Sequence, residues 1–346
     1  MAGQARPRAG GQRTVTLKDV ALLAGVTPMT VSNVLNRRSG QVSAETEAKV
    51  NAAVERLGYR PHAVARRLRS GRRNAIGMLV LDDVPAFLSD PFTNQVISGL
   101  SNIAASQGYT LLLQGVRYGN FEEAPLLAQL EADGVCALLS GSPQQRRSLV
   151  QRLMTLDLPV VLVQENIVAP GVCTVRQDDR GGAVEIARHV LARGARRIMM
   201  LLPAEEWPAM NEREAGVSAV CAAAGARLEI VRCGDEGLAD TQASLALAVS
   251  AGGLPDAIIG GNDRMALAAL NWLAAQRVPV PDRVRVTGFN AFDFAAYSTP
   301  TLTTVRSAAY EMGMRAAEEL LLAFRTGSFS APDIVLPVGF QPAASS

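Results

Sequence analysis

The stretch LKDVALLAGVTPMTVSNVL, residues 17–35, predicts two short helices separated by a tight turn. In its first half, apolar residues recur every three or four positions, which is the spacing of one buried helical face, and Gly25 can end that helix. In its second half, the hydroxyl of Thr27 can cap a new helix, and Pro28 follows at the first helical position, where its missing N–H is harmless. A third helix is predicted from Ser43 to Gly58. Helix, glycine turn, helix and supporting helix together form a helix-turn-helix arrangement.

The second predicted helix has two chemically different faces. Val31, Val34 and Leu35 fall on the face that we expect to be buried, and polar residues at spacings of three and four fall on the opposite face. In the major groove an asparagine can form paired hydrogen bonds with adenine, and a methionine can contact a thymine methyl group. The candidate DNA-contacting residues of this unit are Thr16, Pro28, Met29, Thr30, Ser32, Asn33 and Asn36. A surface module of three helices with solvated polar residues is the alternative.

The charge of the chain is unevenly distributed. Residues 1–73 hold 14 Lys and Arg against 4 Asp and Glu, a net charge of +10, whereas residues 74–346 hold 20 against 28, a net charge of −8. Such asymmetry indicates a nucleic-acid-binding end attached to a body with another role. We therefore expect a disordered basic arm over residues 1–13, a helix-turn-helix domain over residues 14–60, a linker over residues 61–73 and a separate domain over residues 74–346.

Targeting and metal-binding signals are absent from the sequence. The amino-terminal segment lacks the apolar stretch of a secretory signal, and no run approaches the ~20 apolar residues that span a bilayer. The four cysteines show no metal-ligand spacing, and we expect them to be unpaired, reduced thiols. We therefore expect a soluble, cytoplasmic protein with no metal site, no cofactor and no membrane contact.

From residue 74 onward, short apolar runs alternate with amphipathic stretches of helical period, which is typical of parallel sheets covered by helices on both faces. About 270 residues are enough for two such α/β lobes. The runs expected to be buried strands are AIGMLVL (75–81), YTLLLQGV (109–116), GVCALLSG (134–141), PVVLVQE (159–165), RIMMLLP (197–203), DAIIGGND (256–263) and VRVTGFN (284–290).

Enzymatic chemistry has little support in this body. The sequence contains no GxGxxG, GxxxxGK or GxSxG motif. The chain's only lysines, Lys18 and Lys49, lie in the amino-terminal part, so the body has neither a Schiff-base lysine nor a P-loop lysine. Its single histidine, His189, is expected on a helix surface. The sequence therefore predicts that the protein is not an enzyme and has no catalytic residue.

Two long segments carry a resemblance to a known family. TLKDVALLAGVTPMTVSNVLN and VSAETEAKVNAAVERLGYRPHAVARRLRSGRRNAIGMLV resemble the start of a LacI/GalR-type bacterial transcription regulator, and the resemblance continues to the carboxyl terminus. It implies that Pro28, Met29 and Asn33 read bases. It also implies that the body has the fold of periplasmic sugar-binding proteins. In that fold two lobes of Rossmann-like parallel sheet enclose a ligand cleft, and the chain is expected to cross between them near Val175 and Thr304.

The stretch YRPHAVARRLRSG, residues 59–71, carries a second part of the resemblance. In such regulators this segment is a hinge helix that folds on operator DNA and inserts a leucine into the minor groove. The resemblance implies that Leu68 is the inserted residue and that His62 and Ala65 contact DNA beside it. The composition agrees, because four arginines surround one large apolar side chain, as expected of a wedge flanked by phosphate contacts. A plain basic linker is the alternative.

Candidate effector-binding residues lie where strands of the body end, because ligands of two-lobed α/β proteins bind at the carboxyl ends of strands. The resemblance implies that Arg213 holds effector oxygens, since a guanidinium fork suits a carboxylate or paired hydroxyls. It further implies effector contacts by Phe92, Gln164, Asn262 and Asn290. Trp207 is expected to cover the ligand, and the alternative for Phe92 and Trp207 is an ordinary place in the core or, for Trp207, on the surface. Gln164 and Asn290 are amides where many relatives carry aspartates, so we expect an acidic or otherwise oxidised sugar as effector. Asp263 is expected to cap a helix.

Together these observations predict a homodimeric transcription regulator, specifically a repressor, whose affinity for operator DNA depends on a sugar or sugar acid bound between two lobes. Two-fold symmetry is expected because one recognition helix reads only a few base pairs, so a pseudo-palindromic site gives useful specificity. The tail GFQPAASS lacks a leucine heptad and predicts no tetramerising coil. A DNA-binding activator, or an architectural protein whose body binds a protein partner, is the alternative.

Overall fold

The computed structural model describes residues 15–35, 42–59, 73–82, 87–121, 124–128, 131–234 and 237–346. The arm predicted over residues 1–13 lies outside these ranges, as do the predicted DNA contacts Asn36, His62, Ala65 and Leu68. The chain forms two compact units, which are Met1–Arg72 and Arg73–Ser346.

Three helices form the described part of the amino-terminal unit: α1 (Leu17–Ala24), α2 (Pro28–Leu35) and α3 (Ala44–Leu57). The hydroxyl groups of Thr16, Thr27 and Ser43 each accept a backbone hydrogen bond at the start of one helix. Gly25 and Gly58 end the first and third helices with φ of 67° and 58°, in the left-handed region that favours glycine. The buried core contains Val20, Ala21, Val31, Val34, Val50, Ala53 and Tyr59. The three helices predicted from the sequence are confirmed.

A parallel sheet of six strands forms the first lobe of the body. Its strands are β1 (Ala75–Leu81), β2 (Thr110–Val116), β3 (Gly134–Leu139), β4 (Val160–Val163), β5 (Val172–Gln177) and β11 (Asp333–Leu336), in the spatial order β11-β5-β4-β3-β1-β2. The helices of this lobe are α4 (Pro91–Ser106), α5 (Pro125–Ala128), α6 (Pro143–Met154) and α11 (Ala309–Thr326). Helices α4 and α11 pack on one face of the sheet and α6 on the other, so the central strands are apolar throughout.

A second parallel sheet, of four strands, forms the other lobe. Its strands are β6 (Arg197–Pro203), β7 (Arg227–Cys233), β8 (Ala257–Gly260) and β9 (Arg285–Thr287), in the order β7-β6-β8-β9. Two helices cover each face of this sheet. One face is covered by α7 (Asp179–Ala192) and α8 (Pro208–Ala223), and the other by α9 (Leu238–Gly252) and α10 (Asp263–Ala275). The short strands β10 (Thr304–Arg306) and β12 (Gly339–Gln341) pair antiparallel and add to the first of these cores.

In the described part of the body, the chain passes between the lobes three times: between β5 and α7, between β10 and α11, and between β11 and β12. The first two passages lie close to those expected near Val175 and Thr304, whereas the third was not expected. Gln177 joins the first two passages, because its Oε1 accepts hydrogen bonds from the Ser307 hydroxyl (2.8 Å) and the Ala308 N–H (2.9 Å).

All seven apolar runs predicted to be strands contain one, but the described residues form five further strands that were not predicted. β7, with the sequence RLEIVRC, lies at the edge of its sheet and alternates polar and apolar residues. β5 and β11 also mix polar with apolar residues, and β10 and β12 have only three residues each. Strands of this kind lack the continuous apolar signal of a buried central strand.

The carboxyl ends of the central strands line one cleft between the two sheets. β1, β3 and β4 end at Leu81, Leu139 and Val163, and β6 ends at Pro203; all four residues line the space between the sheets. A parallel α/β sheet places ligand sites at this end of its strands. The fold therefore presents the candidate site where two such ends face each other.

Helices α4 and α11 approach closely at two glycines. A Cβ atom at Gly313 would overlap the backbone oxygen of Val96, and one at Gly99 would overlap the backbone oxygen of Tyr310. Both glycines are therefore required by the distance between the helices rather than by their own backbone angles.

We predict that Gly313→Ala lowers the free energy of unfolding of the body by about 1–3 kcal/mol, because the helices must separate to admit the methyl group. Gly119→Ala is the matched control, since a Cβ there meets no atom within 4 Å. Urea unfolding followed by circular dichroism measures both variants. Equal stability of Gly313→Ala and wild type would contradict the close helix contact.

Candidate DNA-binding surface and effector cleft

Helix α2 presents the predicted base-contacting residues on one side. Pro28 and Met29 are exposed, and Met29 shows 68% of its surface. Val31 and Val34 are buried on the other side, as expected, while Leu35 is half-buried rather than buried. The remaining described residues of the predicted contact face, all half-buried, are Thr30, Ser32 and Asn33. The first two residues of this face are therefore exposed, and the polar side chains that follow them are partly covered by the rest of the unit.

Thr16 forms the start of α1. Its hydroxyl and its backbone N–H both donate to the carboxylate of Asp19, over 2.7 Å and 2.8 Å, and the N–H of Asp19 donates back to the Thr16 hydroxyl. This reciprocal arrangement is a capping box. It gives Thr16 a role in helix formation, and its contact with DNA stays a prediction.

The body contains a cleft of about 610 Å³ between the carboxyl ends of its two sheets. The six predicted effector-binding residues all line it: Phe92, Gln164, Trp207, Arg213, Asn262 and Asn290. The wall also includes Phe87, Tyr118 and Phe292, aromatic residues that the sequence analysis did not single out. A concave space of this size, with aromatic walls and a few polar groups, is typical of a small-molecule site.

Arg213, on α8, is buried and bonded on several sides. Its Nε donates to Oδ1 of Asp179 (2.8 Å), its Nη1 to the carbonyl of Gly261 (2.6 Å) and its Nη2 to Oδ1 of Asn290 (3.2 Å). Nη2 also lies 2.7 Å from Oδ1 of Asp179, which completes a buried ion pair. The guanidinium carbon lies 3.7 Å from the centre of the Phe289 ring, within cation–π range. Arg213 is therefore held in one orientation by the protein itself.

Asp179, the first residue of α7, is the buried partner of Arg213. The side-chain amides of Gln164 and Gln177 both donate to its carboxylate, Gln177 over 3.0 Å. Burial raises the pKa of the Asp179 carboxyl above its ordinary value, while Arg213 and the two amides favour the ionised form. Asp179 follows β5, a strand that was not predicted, so the sequence offered no reason to expect this residue at the site.

The expectation of an anionic effector overlooked this carboxylate. That expectation treated Arg213 as a positive charge facing a cleft from which two carboxylates had been removed. The structure places Asp179 against the guanidinium, so the charge of Arg213 is balanced within the protein. The physical reason for expecting an acidic sugar is therefore wrong.

Asn262 precedes α10 and lines the cleft, as expected, but it is also the residue that caps this helix. Asn262 is the cap, because its Oδ1 accepts a hydrogen bond from the N–H of Met265 (3.0 Å). Asp263 accepts hydrogen bonds from the Thr304 hydroxyl (2.6 Å) and from the N–H of Phe292 (2.8 Å). The expectation that Asp263 caps the helix is wrong, since its carboxylate instead ties α10 to β10 and to the loop after β9.

That loop carries Asn290, which is buried with a backbone φ of 112°. Its N–H donates to the carbonyl of Val305 (2.8 Å), which aligns the loop beside β10. The carboxylate of Asp263 supports the loop by accepting the hydrogen bond from the N–H of Phe292. Burial raises the pKa of this carboxyl to about 6, although its hydrogen bonds act to lower the pKa. The position of Asn290 therefore depends on Asp263, although Asp263 itself does not line the cleft.

Two arginines connect the lobes across the cleft. Arg146, on α6, donates through Nη1 to the carbonyl of Glu206 (2.9 Å), and Arg264, on α10, donates through Nη2 to the carbonyl of Ser89 (2.9 Å). Nε of Arg146 also lies 2.7 Å from a carboxylate oxygen of Glu165, in an ion pair that is almost completely buried. Burial raises the pKa of the Glu165 carboxyl. These contacts hold the lobes together at two points.

Other chemistry has little support in the described ranges. No group of three or more His, Cys, Asp or Glu residues there is arranged to hold a metal ion. None of the described helices is both long enough and apolar enough to cross a bilayer. Burial raises the pKa of two of the thiols to about 12, which disfavours the reactive thiolate. The four cysteines are buried and form no disulfide: Cys136, Cys173, Cys221 and Cys233.

Two segments of the chain match known protein families. Residues 16–62 match the bacterial regulatory proteins of the lacI family, and residues 187–346 match a periplasmic binding protein-like domain. The first segment contains the three described helices of the amino-terminal unit. The second contains Arg213, Asn262 and Asn290 of the cleft.

Relatives match over nearly the whole chain. The HTH-type transcriptional repressor PurR of Photobacterium profundum is 31% identical over 316 residues, which cover 88% of this chain and 91% of that relative. The lac repressor dimer bound to operator and the anti-inducer ONPF has the same fold, with a TM-score of 0.82, 23% identity and coverage of 96% of this chain and 99% of that one. The complex of the transcriptional regulator CelR with cellobiose has a TM-score of 0.71, 26% identity and coverage of 96% and 100%.

We predict that Asp263→Ala destabilises the body by roughly 2–4 kcal/mol, because it leaves the Thr304 hydroxyl and the Phe292 N–H buried without their acceptor. Asp293→Ala is the control, since Asp293 is exposed at the start of the short 3-10 helix Asp293–Tyr297. Thermal unfolding of both variants beside wild type checks the prediction. A melting temperature of Asp263→Ala equal to that of the control would show that this carboxylate does not support the loop.

Proposed function

The chain belongs to the lacI family of bacterial regulatory proteins, and on this premise we propose that it is a transcriptional repressor with two coupled binding sites. Its amino-terminal unit binds operator DNA, and the cleft of the body binds a small-molecule effector that changes the affinity for that DNA. The observation that carries the proposal is that all six effector-binding residues predicted from the sequence line one cleft.

DNA binding rests on α2 and on charge. The exposed Met29 and the neighbouring Asn33 stand at the face that would enter the major groove, where asparagine suits adenine and a methionine side chain suits a thymine methyl. The net charge of +10 over residues 1–73 supplies attraction to phosphates. We further propose that the linker residues His62, Ala65 and Leu68 contact the minor groove.

The proposed operator has two half-sites, bound by a homodimer. One helix in the major groove specifies only a few base pairs, so a second copy related by two-fold symmetry is needed for useful selectivity. We therefore expect the operator to be pseudo-palindromic. We also propose that the protein binds it in the cytoplasm. The relatives named as repressors support repression as the direction of control.

The proposed effector is a sugar or a compound with a similar set of oxygens. Aromatic rings such as Phe92 and Trp207 offer flat apolar surfaces to the C–H face of a sugar ring, while buried amides fix its hydroxyls. Asn262 and Asn290 use their Oδ1 atoms within the protein, and their Nδ2 groups have no acceptor in the described part of the chain. Both are therefore placed to donate to ligand oxygens. The relative solved with cellobiose supports this class.

Effector binding is proposed to act on the closure of the two lobes. A ligand that bonds to Gln164 in the first lobe and to Asn262 in the second favours one degree of closure over another. β1 runs from this cleft to the start of the body, where Asp133 accepts hydrogen bonds from the N–H groups of Arg73 (2.8 Å) and Ala75 (3.2 Å). A change in closure thereby reaches the linker to the DNA-binding unit. A coupling of about 1–3 kcal/mol changes operator affinity 5- to 150-fold.

Asn33→Ala should relax the base preference at one position of each half-site, since about 1–3 kcal/mol of discrimination is lost with a paired contact to a base. Asn51→Ala is the matched control, because Asn51 is an exposed asparagine on α3, away from the recognition face. Selection of binding sites from random duplex DNA measures the preference. An unchanged consensus for Asn33→Ala would refute its role in base reading.

The effector site is tested by a thermal-shift screen of sugars, sugar acids and purines on the full chain, in which a ligand at 100 times its Kd stabilises by about 2.7 kcal/mol. For the ligand with the largest shift, we predict that Arg213→Lys loses the shift and the effector response but keeps operator binding. A lysine ammonium cannot reproduce the fork that contacts Asp179, Gly261 and Asn290 together.

Arg232→Lys is the control, because Arg232 lies partly exposed on β7 and pairs with Glu214 outside this network. Its thermal shift should match that of wild type. A full shift in Arg213→Lys would remove Arg213 from the site, and a screen with no stabilising ligand would count against the effector function as a whole.

A further inference from the structure

We propose that Asp179 sets the charge preference of the cleft, so that it takes a neutral polyhydroxyl ligand and rejects the carboxylate form of the same skeleton. The inference rests on the proposed function, because it takes the cleft to be the effector site. It goes beyond that function by naming the residue that selects the effector and the direction of the selection.

Arg213 has few donors left for a ligand. A guanidinium carries five N–H groups in a fixed plane. Its Nε–H donates to an Asp179 oxygen that also lies 2.7 Å from Nη2, Nη2 donates to Asn290, and Nη1 donates to the carbonyl of Gly261. The single remaining Nη1–H can serve one hydroxyl oxygen. It cannot form the two parallel hydrogen bonds through which arginine recognises a carboxylate.

The guanidinium is also covered on one face. Its carbon atom lies 3.7 Å from the centre of the Phe289 ring, which occupies that face. The side chains of Arg213 and Asp179 are only 3% and 4% exposed. A ligand carboxylate would therefore have to displace Asp179, and a carboxylate left buried without its partner is strongly unfavourable.

Asp179 is itself held from two neighbouring strands of the first lobe. Gln164, after β4, and Gln177, at the end of β5, donate their side-chain amides to it. Such neutral donors stabilise a carboxylate without cancelling its charge. The pair with Arg213 is thus electrically balanced, and the only net charge that a ligand experiences comes from the remaining lining groups.

Those remaining groups favour a neutral ligand over an anion. Leaving Asp82 out of the count, the described residues that line the cleft include two carboxylates, Asp90 and Glu205, and one cation besides Arg213, which is Arg264. The guanidinium of Arg264 already donates to the carbonyl of Ser89. An anion entering this cleft meets more negative than positive groups, and like charges brought together reduce affinity.

The test compares ligands that share a carbon skeleton and differ in charge. Isothermal titration calorimetry on the full chain measures glucose beside gluconate and glucuronate, galactose beside galacturonate, and cellobiose beside cellobionate. In wild type we expect the neutral member of the tightest-binding pair to bind at least about tenfold more tightly than its acid. In Asp179→Asn, which is nearly isosteric, the acid should gain at least about tenfold and the preference should shrink or reverse.

Glu185→Gln is the matched control, because Glu185 lies exposed on the same helix and pairs with Arg188 away from the cleft. Its preference should equal that of wild type, and circular dichroism checks that each variant is folded. Tighter binding of the acid by wild type, or an unchanged preference in folded Asp179→Asn, would overturn the inference and leave the proposed function standing. The wild-type comparison decides the matter even if Asp179→Asn fails to fold. Binding of no ligand from any pair would overturn both proposals.

Discussion

The ion pair between Asp179 and Arg213 is the interaction on which the cleft depends. It joins groups from separate parts of the chain: the start of α7, the middle of α8, Gln164 after β4, and Asn290 after β9. Removing one member of a buried pair costs about 3–5 kcal/mol, because the other is left charged and without a partner. The pair therefore aligns the polar wall of the cleft before any ligand arrives, and it also determines how much charge that wall presents.

The same cluster reaches the segments through which the lobes are joined. Gln177 donates to Asp179 and accepts from the Ser307 hydroxyl, so the first two passages between lobes share hydrogen bonds with the polar wall of the cleft. Arg146 and Arg264 link the lobes across the opening of the cleft. A ligand that alters the cluster thus acts on groups that control the relative position of the lobes. This is the physical basis of the proposed coupling between a small molecule in the cleft and the binding of DNA.

The parts of this structure that could be predicted are those fixed by local sequence. The three amino-terminal helices follow from Thr16, Thr27, Gly25 and the apolar spacing, which act within a few residues of each other. The central strands follow from uninterrupted apolar runs. The predicted effector-binding residues were found in the cleft lining because they follow such strands or match a family pattern. All of this is information that one segment carries alone.

What could not be predicted depends on contacts between distant segments. Asp179 follows a strand of mixed polarity that is identified only by its neighbours in the sheet, so its meeting with Arg213 has no local signal. The third passage between lobes could not be predicted for the same reason, because β11 and β12 are short and pair with strands far away in sequence. Asp263 was mistaken for a cap because Asn262 offers the same chemistry one residue earlier.

The central claim is that a ligand in the cleft controls the grip of the amino-terminal unit on DNA. The most direct measurement is the Kd of the full chain for its selected operator, by fluorescence anisotropy at fixed salt, over a titration of the ligand found by thermal shift. The account predicts a saturable change in operator Kd of about 5-fold or more, with an equal change in ligand Kd when operator is present. An operator Kd that stays constant while the ligand saturates the body would contradict it.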